Sequence, residues 1–481
     1  MRKKQLILGL LLISIFTALL VLPSGCFRRE ATQPDEETPE QPPGQNVAAK
    51  QFIGSEECAN CHKQIHEDWK DTFHNLSLQQ ADWDKFELKG DFSVGKLSYG
   101  AMEEGGGEIV DIVLNEDGTV NIGDKQYEIF GTYGGWDNWK ERYFTKDVSD
   151  EVNDDAIQIL PIQWNQKPEE WVPYHADEGH GEPNKKNWWR PERSFEKNCS
   201  GCHNTGLALE WNDEGLVTAY QYSEFNTGCE NCHGPGSLHQ NNPPGNIINP
   251  AELDKKPANE VCGQCHSRGK SKPDHLFGFP WDENEGENGA YKVGDNLDDY
   301  YTDGGGYYGE DRDGDSAITT QEAVASKKHH QQWPDHKVSA HYSSEANNLP
   351  STCFDCHSPH DDGYKVGDKK YSLEDVKKNV LCLDCHKKNA PFNGEKHHFG
   401  DSEYATMANT SCTSCHMTRT SKSAVLDEKG LGDIHSHRLN VYPPSFSTRF
   451  DMPNSCVECH DNATDEQVEE IGDIVEQRNN Q

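Results

Sequence analysis

The stretch Gly228-Cys-Glu-Asn-Cys-His-Gly-Pro-Gly-Ser-Leu-His239 contains the feature that decides the fold, a Cys-x-x-Cys-His pentapeptide. Eight such pentapeptides occur along the chain of 481 residues, and together they use 16 of its 17 cysteines. So regular a use of cysteine indicates one repeated chemical unit. Numbered as motifs 1 to 8 in chain order, they consist of Cys58, Cys61 and His62; Cys199, Cys202 and His203; Cys229, Cys232 and His233; Cys262, Cys265 and His266; Cys353, Cys356 and His357; Cys382, Cys385 and His386; Cys412, Cys415 and His416; and Cys456, Cys459 and His460.

This pentapeptide is the attachment motif of c-type haems. Its two thiols add covalently to the vinyl groups of a haem, and the adjoining histidine becomes an axial ligand of the iron. Cysteine pairs also build tetrahedral zinc sites, but zinc does not require a histidine directly after the second cysteine. Two intervening residues likewise suit a redox-active pair better than a structural disulfide. The motifs therefore predict an octahaem c-type cytochrome that carries eight heme c groups.

The N-terminus has the layout of an export signal. Three of the first four residues are basic, residues 6–22 are mostly apolar, and small residues precede Cys26. The segment resembles a bacterial lipoprotein signal, in which that cysteine is lipidated and becomes the mature N-terminus. Pro23 departs from the pattern, so a retained signal anchor is the alternative. We expect a signal peptide at residues 1–25 and an exported, membrane-anchored lipoprotein in the periplasm or on the cell surface.

The spacing of the motifs divides the rest of the chain. Residues 26–51 are rich in Pro, Glu and Gln, which predicts a disordered tether. Residues 52–198 contain motif 1 and then 136 residues without a motif. Residues 199–352 contain motifs 2 to 4 and an acidic loop, and residues 353–481 contain motifs 5 to 8 and a C-terminal helix.

Alternating β-branched residues predict an antiparallel β region within the long gap after motif 1, with strands at 108–114, 119–122, 126–130, 143–144 and 157–164. Helices are predicted near residues 320–344 and at residues 464–478. The expected fold is a multihaem cytochrome c, mainly α and irregular loops wrapped around stacked haems, with a small inserted antiparallel β region.

The composition is consistent with a core supplied by cofactors. Only 33% of the residues are hydrophobic and the formal net charge is −37, which by themselves would indicate disorder. Apolar porphyrin plates would supply the missing core. The negative charge excludes nucleic acid as a partner and favours cationic redox partner proteins, metal ions or mineral surfaces.

Fifteen of the 23 histidines lie outside the motifs. A haem that only carries electrons needs a second strong axial ligand, usually histidine. Closeness to a motif or to aromatic residues selects the best candidates, which are His74, His239, His329 or His330, His341, His360, His397 or His398, and His435 or His437. A weaker set consists of His66, His175, His180, His275 and His336.

The stretch from Phe52 to His74, the run from Gly228 to His239 and the run Cys-His-Ser-Pro-His360 resemble exported octahaem cytochromes. These belong to the broad superfamily of pentahaem nitrite reductase and hydroxylamine oxidoreductase. The similarity follows the motif order over residues 52–460. It implies mainly bis-histidine haems in stacked and perpendicular pairs, which pass electrons in anaerobic or metal-linked respiration.

An enzyme is the main alternative, an octahaem reductase or oxidoreductase that acts on a small nitrogen or sulfur compound at one open haem. Nitrite reductases of the superfamily typically end the active motif in lysine, whereas all eight motifs here end in histidine, as in hydroxylamine oxidoreductase-like enzymes. Arg268 and His275 are candidates for a substrate pocket, but an arginine beside a haem more often pairs with a propionate, and no complete acid–base set is visible. We therefore expect electron transfer and no catalytic residues. A filament-forming cytochrome is a minor alternative.

One acidic loop resembles an EF-hand calcium site. Asp311, Asp313, Asp315 and Glu322 stand at positions 1, 3, 5 and 12 of the pattern. Ser316 replaces the glycine that is expected for the sharp turn. The loop predicts a calcium ion bound by these four carboxylates, and the alternative is an acidic solvated loop.

Overall fold

The computed structural model describes residues 51–80, 88–103, 108–135, 140–146, 148, 152–153, 155–176, 187–272, 275–282, 289–315, 317–343, 351–386 and 411–458. The predicted signal peptide with Cys26, the tether up to residue 50 and the C-terminal helix lie outside these residues. None of the helices in the described ranges combines the length and the apolar character that crossing a membrane requires.

The helices are short, and most of them lie beside a Cys-x-x-Cys-His motif. The described α-helices are Ser55–Ala59, Lys63–Trp69, Phe73–Leu76, Phe195–Asn198, Ser200–His203, Cys229–His233, Ser237–Asn241, Lys255–His266, Gln332–Lys337, Ala340–Ser343, Leu373–Lys377, Val380–His386, Cys412–His416 and Ser445–Phe450. Short 3-10 helices occur at Phe92–Val94, Pro191–Arg193, Pro250–Glu252, Leu297–Asp299 and Cys353–Asp355.

Two antiparallel sheets form the insert after motif 1. One sheet has the order Leu78–Gln80, Gly131–Gly134, Lys140–Thr145, Gln158–Asn165 and Glu170–Pro173. The other is a meander of Lys96–Met102, Ile109–Leu114, Val120–Ile122 and Lys125–Tyr127. The predicted strands therefore lie close to their observed positions.

Small sheets also occur outside the insert. Two-stranded antiparallel pairs join Ala208–Trp211 to Val217–Gln221, Lys270–Ser271 to Tyr301–Thr302, and Tyr307–Gly309 to Ala323–Ser326. A three-stranded sheet contains His357–Ser358, Gly363–Val366 and Lys369–Tyr371. The described residues thus contain several antiparallel sheets besides the insert, and the mainly α description is not confirmed.

The helix predicted near residues 320–344 is wrong over most of its length. Residues Ala323–Ser326 form a strand, and His330 has a positive φ of 60°, which interrupts helical geometry. The helix Gln332–Lys337 begins only two residues before Pro334. Proline is tolerated in the first turn of a helix but breaks its interior, which explains why the helix starts here and not earlier.

The insert packs its own core and is tied to motif 2. Met102, Ile112 and Tyr143 are almost completely buried in a cluster between the sheets. The carboxylate of Glu196, in the helix that precedes motif 2, accepts a hydrogen bond from the backbone N–H of Ile157 at 2.8 Å. The sheets are therefore fixed directly against the second attachment motif.

Candidate haem sites

Five of the motifs lie on a helix that ends at the motif histidine. These helices are Ser200–His203, Cys229–His233, Lys255–His266, Val380–His386 and Cys412–His416. One helical turn brings residues i, i+3 and i+4 to neighbouring positions on the helix surface, so two thiols and one imidazole share a face. The local helix thus gives each motif the arrangement that attachment and axial ligation of one haem require.

Two motifs contain a glycine because an aromatic ring packs against the helix there. A Cβ atom placed on Gly201 of motif 2 would lie 2.1 Å from the ring of Phe279. A Cβ atom on Gly263 of motif 4 would lie 2.6 Å from the ring of Trp333. These close approaches fix one side of both motif helices.

Five motif histidines face a histidine from outside the motifs. The ring centres are separated by 6.3 Å for His62 and His239, 6.3 Å for His203 and His330, 6.0 Å for His233 and His360, 6.2 Å for His357 and His437, and 6.0 Å for His386 and His341. Among the described residues, no ring contact joins two motif histidines. The pairing is therefore selective and not a general clustering of imidazoles.

The separations fit an iron atom between the two rings of each pair. Two imidazoles on opposite sides of one metal ion hold their ring centres about 6 Å apart, because each metal–nitrogen bond is about 2 Å long and each ring centre lies about 1 Å beyond its nitrogen. The five ring-centre separations therefore fit the cofactor that the motifs predict, and ligation by these residues stays a prediction.

Hydrogen bonds orient several of these imidazoles. The Nδ1 atom of His233 lies 2.8 Å from the carbonyl oxygen of Ile248, and that of His239 lies 3.0 Å from the carbonyl of Gly245. The Nδ1 atom of His437 lies 3.0 Å from the carbonyl of His435. An Nδ1–H group that donates to a carbonyl leaves the Nε2 lone pair available for a metal ion, which is the usual arrangement of ligating histidines.

Loss of solvation favours the neutral form of several of the paired imidazoles. Loss of solvation lowers the pKa of His203 and of His357 to about 4, and that of His437 to about 3. It also lowers the pKa of His341 and His360. A neutral imidazole is the form that binds a metal ion, so these sites are ready for ligation at neutral pH.

The pairs bear on two of the predicted alternatives. Within the doublet of His329 and His330, the Nε2 atom of His329 accepts a hydrogen bond from Arg268 at 2.8 Å, whereas His330 faces His203. Within the second doublet, His437 faces His357, and no contact between His435 and a motif histidine is seen among the described residues. The ring contacts therefore favour His330 and His437, and their role as ligands stays a prediction.

The other candidates are not paired in this way. His74 has no ring contact with an imidazole among the described residues, so its role as a ligand stays a prediction. His336 contacts the carbonyl of Ser351 and the hydroxyl of Ser339, and both of its nitrogens are thereby engaged. The candidates His397 and His398, and the motif residues Cys459 and His460, lie outside the described residues.

Motif 4 differs from the five paired motifs. The Nδ1 atom of His266 lies 3.1 Å from the side-chain oxygen of Gln332, which fixes the ring. Its ring contact with an imidazole in the described part of the chain is to His330, at 5.6 Å and 72°, and His74 also lies close enough to lower the pKa of His266 after the larger effect of burial. One imidazole cannot bind two irons through one nitrogen, and the separation from His203 fits better. The sixth position of motif 4 is therefore not assigned by these contacts.

Thiols of different motifs lie close to one another. The thiols of four motif pairs lie close enough to shift one another's pKa, namely Cys58 of motif 1 and Cys229 of motif 3, Cys202 of motif 2 and Cys265 of motif 4, Cys262 of motif 4 and Cys353 of motif 5, and Cys382 of motif 6 and Cys412 of motif 7. Because each thiol is an attachment point, this proximity brings the attachment edges of neighbouring haems together. Proximity between motifs does not follow their order in the sequence.

A buried carboxylate holds motif 1 against motif 3. Glu230, inside motif 3, accepts hydrogen bonds from the backbone N–H groups of Ile53, Gly54 and Gly236 at 2.7 to 3.0 Å. Its side chain is almost fully buried. The three donors satisfy the carboxylate, so the first described segment of the chain is anchored to motif 3.

The acidic loop brings together three of the four predicted calcium ligands. The carboxylates of Asp311, Asp313 and Asp315 lie within 4.8 Å of one another and are exposed. Glu322 is not part of this group, because its carboxylate accepts hydrogen bonds from the backbone of Arg312 at 2.8 Å and from Thr319. The calcium site stays a prediction.

The sequence did not indicate that charged residues would be buried near motif 2. Lys140 and Arg142 lie on a strand whose six residues are all buried, although a Lys-Glu-Arg run usually indicates a solvated face. The guanidinium of Arg142 lies over the ring of Tyr174 at 3.7 Å and near Tyr133 at 5.6 Å. Only the aromatic residues that follow in this strand signal burial, and they do not indicate which cofactor site the cations approach.

Comparisons with known proteins support haem c as the cofactor. Residues 163–234 match the family of cytochrome c554 and c-prime, and residues 316–470 match the N-terminal region of the NapC/NirT cytochrome c family. Each match covers less than half of the chain. No curated protein matches it.

Among solved structures, the chain is similar to the outer cell wall cytochrome OcwA, with 22% identity over 87% of this chain and 86% of that chain and a TM-score of 0.58. It also matches an undecaheme cytochrome from the S-layer of Carboxydothermus ferrireducens, with 16% identity, 91% and 62% of the two chains and a TM-score of 0.41. The octaheme sulfite reductase MccA of Wolinella succinogenes matches with 17% identity, 83% and 60% of the two chains and a TM-score of 0.39. The last two scores are too low to support an argument, and the first shows a shared fold. Parts of the chain are therefore similar to c-type cytochromes, and the chain shares the fold of OcwA.

Proposed function

We propose that the chain transfers electrons outside the cytoplasm through eight covalently bound c-type haems, in anaerobic respiration. The observation that carries this proposal is the set of five imidazole pairs with ring centres 6.0 to 6.3 Å apart. When bound, each haem supplies an iron that accepts and donates one electron. Two imidazoles on an iron leave no open position for a substrate, which suits electron transfer better than catalysis.

The close thiols support rapid transfer between neighbouring sites. Motifs 4 and 5 are held together by Asn259, whose side-chain oxygen accepts a hydrogen bond from the backbone N–H of Cys353 at 3.0 Å. Motifs 6 and 7 are joined in a similar way, because the backbone N–H of Cys412 donates to the side-chain oxygen of Asn379 at 2.5 Å. Fixed contacts of this kind keep the distances between redox sites short and constant.

An exported location and an extracellular partner are part of the proposal. OcwA, which shares the fold, is described as an outer cell wall cytochrome, and this supports export or display on the cell surface. We propose a lipid anchor at Cys26 and acceptors that are cationic redox proteins, metal ions or minerals, since the net charge is −37. A Cys26→Ser variant should appear in the soluble fraction, whereas continued membrane association would contradict the lipid anchor.

Anaerobic reoxidation tests the relay. The loaded protein is reduced, mixed with a soluble ferric chelate or with a ferric oxide, and followed by haem absorbance, while mass spectrometry of the denatured chain counts the covalently attached haems. We expect eight haems and reoxidation of all of them by at least one acceptor. Fewer attached haems, or sites that stay reduced with every acceptor, would contradict the proposal.

A reductase with one open iron is the second candidate, and the environment of His266 favours it. Its ring contact to His330 lies at 5.6 Å, while His330 fits the iron of motif 2. Carbon monoxide binds a reduced haem only where the sixth position is open. Binding to one haem of the wild-type protein would support the reductase, and no binding would exclude an open site.

A further inference from the structure

The strand Lys140–Thr145 directs one arginine to motif 2. Side chains alternate along a strand, so Arg142 faces opposite to Glu141, whose carboxylate accepts hydrogen bonds from the backbone of Lys89 and Gly90. The guanidinium of Arg142 packs against Tyr133, and the ring of Tyr133 meets that of His203 edge-on at 4.8 Å. One aromatic ring therefore separates this cation from the axial imidazole of motif 2.

A second arginine approaches the same iron site from the other side. Arg268 has a positive φ of 50° and donates a hydrogen bond to the Nε2 atom of His329 at 2.8 Å. The ring of His329 lies 4.6 Å from that of His330. His330 is the imidazole that faces His203, so one ring separates Arg268 from the second axial ligand.

Neither arginine is neutralised by a side chain in the described part of the chain. The hydrogen-bond partner of the Arg142 Nε atom is the neutral side chain of Gln163 at 2.8 Å, and that of Arg268 is His329. Other arginines do have carboxylate partners, as Arg438 does with Asp335 at 3.5 Å. Two positive charges thus stand close to the imidazole pair of motif 2. Arg142 is buried and poorly screened, whereas Arg268 is exposed and is screened more by solvent.

Motif 2 also has fewer thiol neighbours from other motifs than motif 4 has. Its Cys202 lies close to Cys265 of motif 4, and among the described residues it has no such thiol neighbour in any other motif. Motif 4 lies close to motif 5 as well, through Cys262 and Cys353. Motif 2 therefore has one such thiol neighbour and motif 4 has two, while Asn204, directly after motif 2, also accepts a hydrogen bond from Asn231 of motif 3 at 3.3 Å.

We propose that Arg142 and Arg268 raise the reduction potential of the motif 2 site and make it an electron store beside the main path. The inference rests on the proposed relay function. A ferric site carries one more positive charge than a ferrous site, so nearby cations disfavour the oxidised state and raise the potential. The exchange moves one electron from the motif 4 site to the motif 2 site and forms or breaks no bond.

Electron paramagnetic resonance during a redox titration of the loaded protein tests this assignment. The imidazole planes of motif 2 are inclined by 50°, and those of motif 6 by 51°, whereas the other three pairs are inclined by 11 to 27°. Parallel planes split the iron d orbitals more than inclined planes do, so the inclined pairs form a separate spectral class. Replacing His330 by Gly should remove one signal of this class. The signal that is lost is the signal of motif 2.

The expected result is that the motif 2 signal disappears early in the reduction of the wild-type protein. In Arg142→Met and Arg268→Met variants it should disappear at lower potential, with a larger shift in the double variant. Arg142→Lys keeps the charge, so its motif 2 signal should disappear as early in the reduction as in the wild type. Arg449→Met is the matched control, since Arg449 is exposed and paired with Glu310.

An unchanged potential in the double variant, or a motif 2 site that is among the last to be reduced in the wild type, would overturn the proposal. Either result leaves the relay proposal standing, because that proposal is tested by the number of attached haems and by their reoxidation. A normal haem content of each variant shows that it has folded, and the charge-preserving Arg142→Lys variant separates charge from packing.

Discussion

Glu141 should make the stability of the inserted β region dependent on pH. Its carboxylate is 1% exposed and accepts hydrogen bonds from the backbone N–H groups of Lys89 and Gly90 and from the hydroxyl of Tyr143 at 2.6 Å. Burial raises the pKa of Glu141 from 4.5 to about 7, although these hydrogen bonds oppose the shift. The native protein therefore binds a proton more tightly than the unfolded chain does.

The sign and size of the effect follow from this pKa. Between pH 4.5 and pH 7 the native state holds more protons than the unfolded state, so the free energy of unfolding falls as pH rises through this window and levels off above it. A shift of this size corresponds to about 3 kcal/mol between the two ends of the window. In a Glu141→Gln variant the amide oxygen can accept the same hydrogen bonds, and the side chain does not titrate.

Denaturant unfolding of the loaded protein at several pH values measures the difference. We expect Glu141→Gln to match the wild type near pH 4.5 and to exceed its free energy of unfolding above pH 7. An exposed carboxylate of the same insert, Glu170, provides the control, and its Gln variant should follow the wild-type curve. If the free energies of unfolding of the wild type and of Glu141→Gln depend on pH in the same way, Glu141 does not cause the pH dependence.

Two further substitutions test individual contacts. Replacing His360 by Gly should open the iron of motif 3, so that carbon monoxide binds one more haem than in the wild type. The same change at His336 should add no carbon monoxide binding. If the His360→Gly variant binds no more carbon monoxide than the wild type, His360 is not the second ligand of motif 3. Replacing Glu230 by Ala should lower the free energy of unfolding by roughly 2 to 5 kcal/mol, because three backbone donors lose a buried partner. Glu252→Ala is its exposed control, and equal stability of the two variants would contradict the anchoring role of Glu230.

Much of the cofactor chemistry could be predicted from the sequence because it depends on local spacing. The Cys-x-x-Cys-His motifs specify the proximal ligands directly, and proximity along the chain marked His239 and His360 as ligand candidates. Alternating residues at 157–164 predicted the observed strand Gln158–Asn165, since a buried strand is determined by the pattern of its own side chains.

The remaining features depend on contacts that join distant segments. The choice of His330 over His329 follows from Arg268, which lies more than 60 positions earlier in the chain. The burial of Arg142 depends on rings contributed by Tyr133 and Tyr174. No local periodicity reveals such partners, and for the same reason the helix expected near residues 320–344 failed where Ala323–Ser326 pairs with another strand.

A spin-state census of the fully oxidised, fully loaded protein tests the central claim most directly. The account predicts that at least five of the eight irons are low-spin with two imidazole ligands, two of them in the class with inclined planes. More than three high-spin irons would mean that at least one of the five imidazole pairs does not enclose an iron. That result would contradict the assignment on which the relay rests.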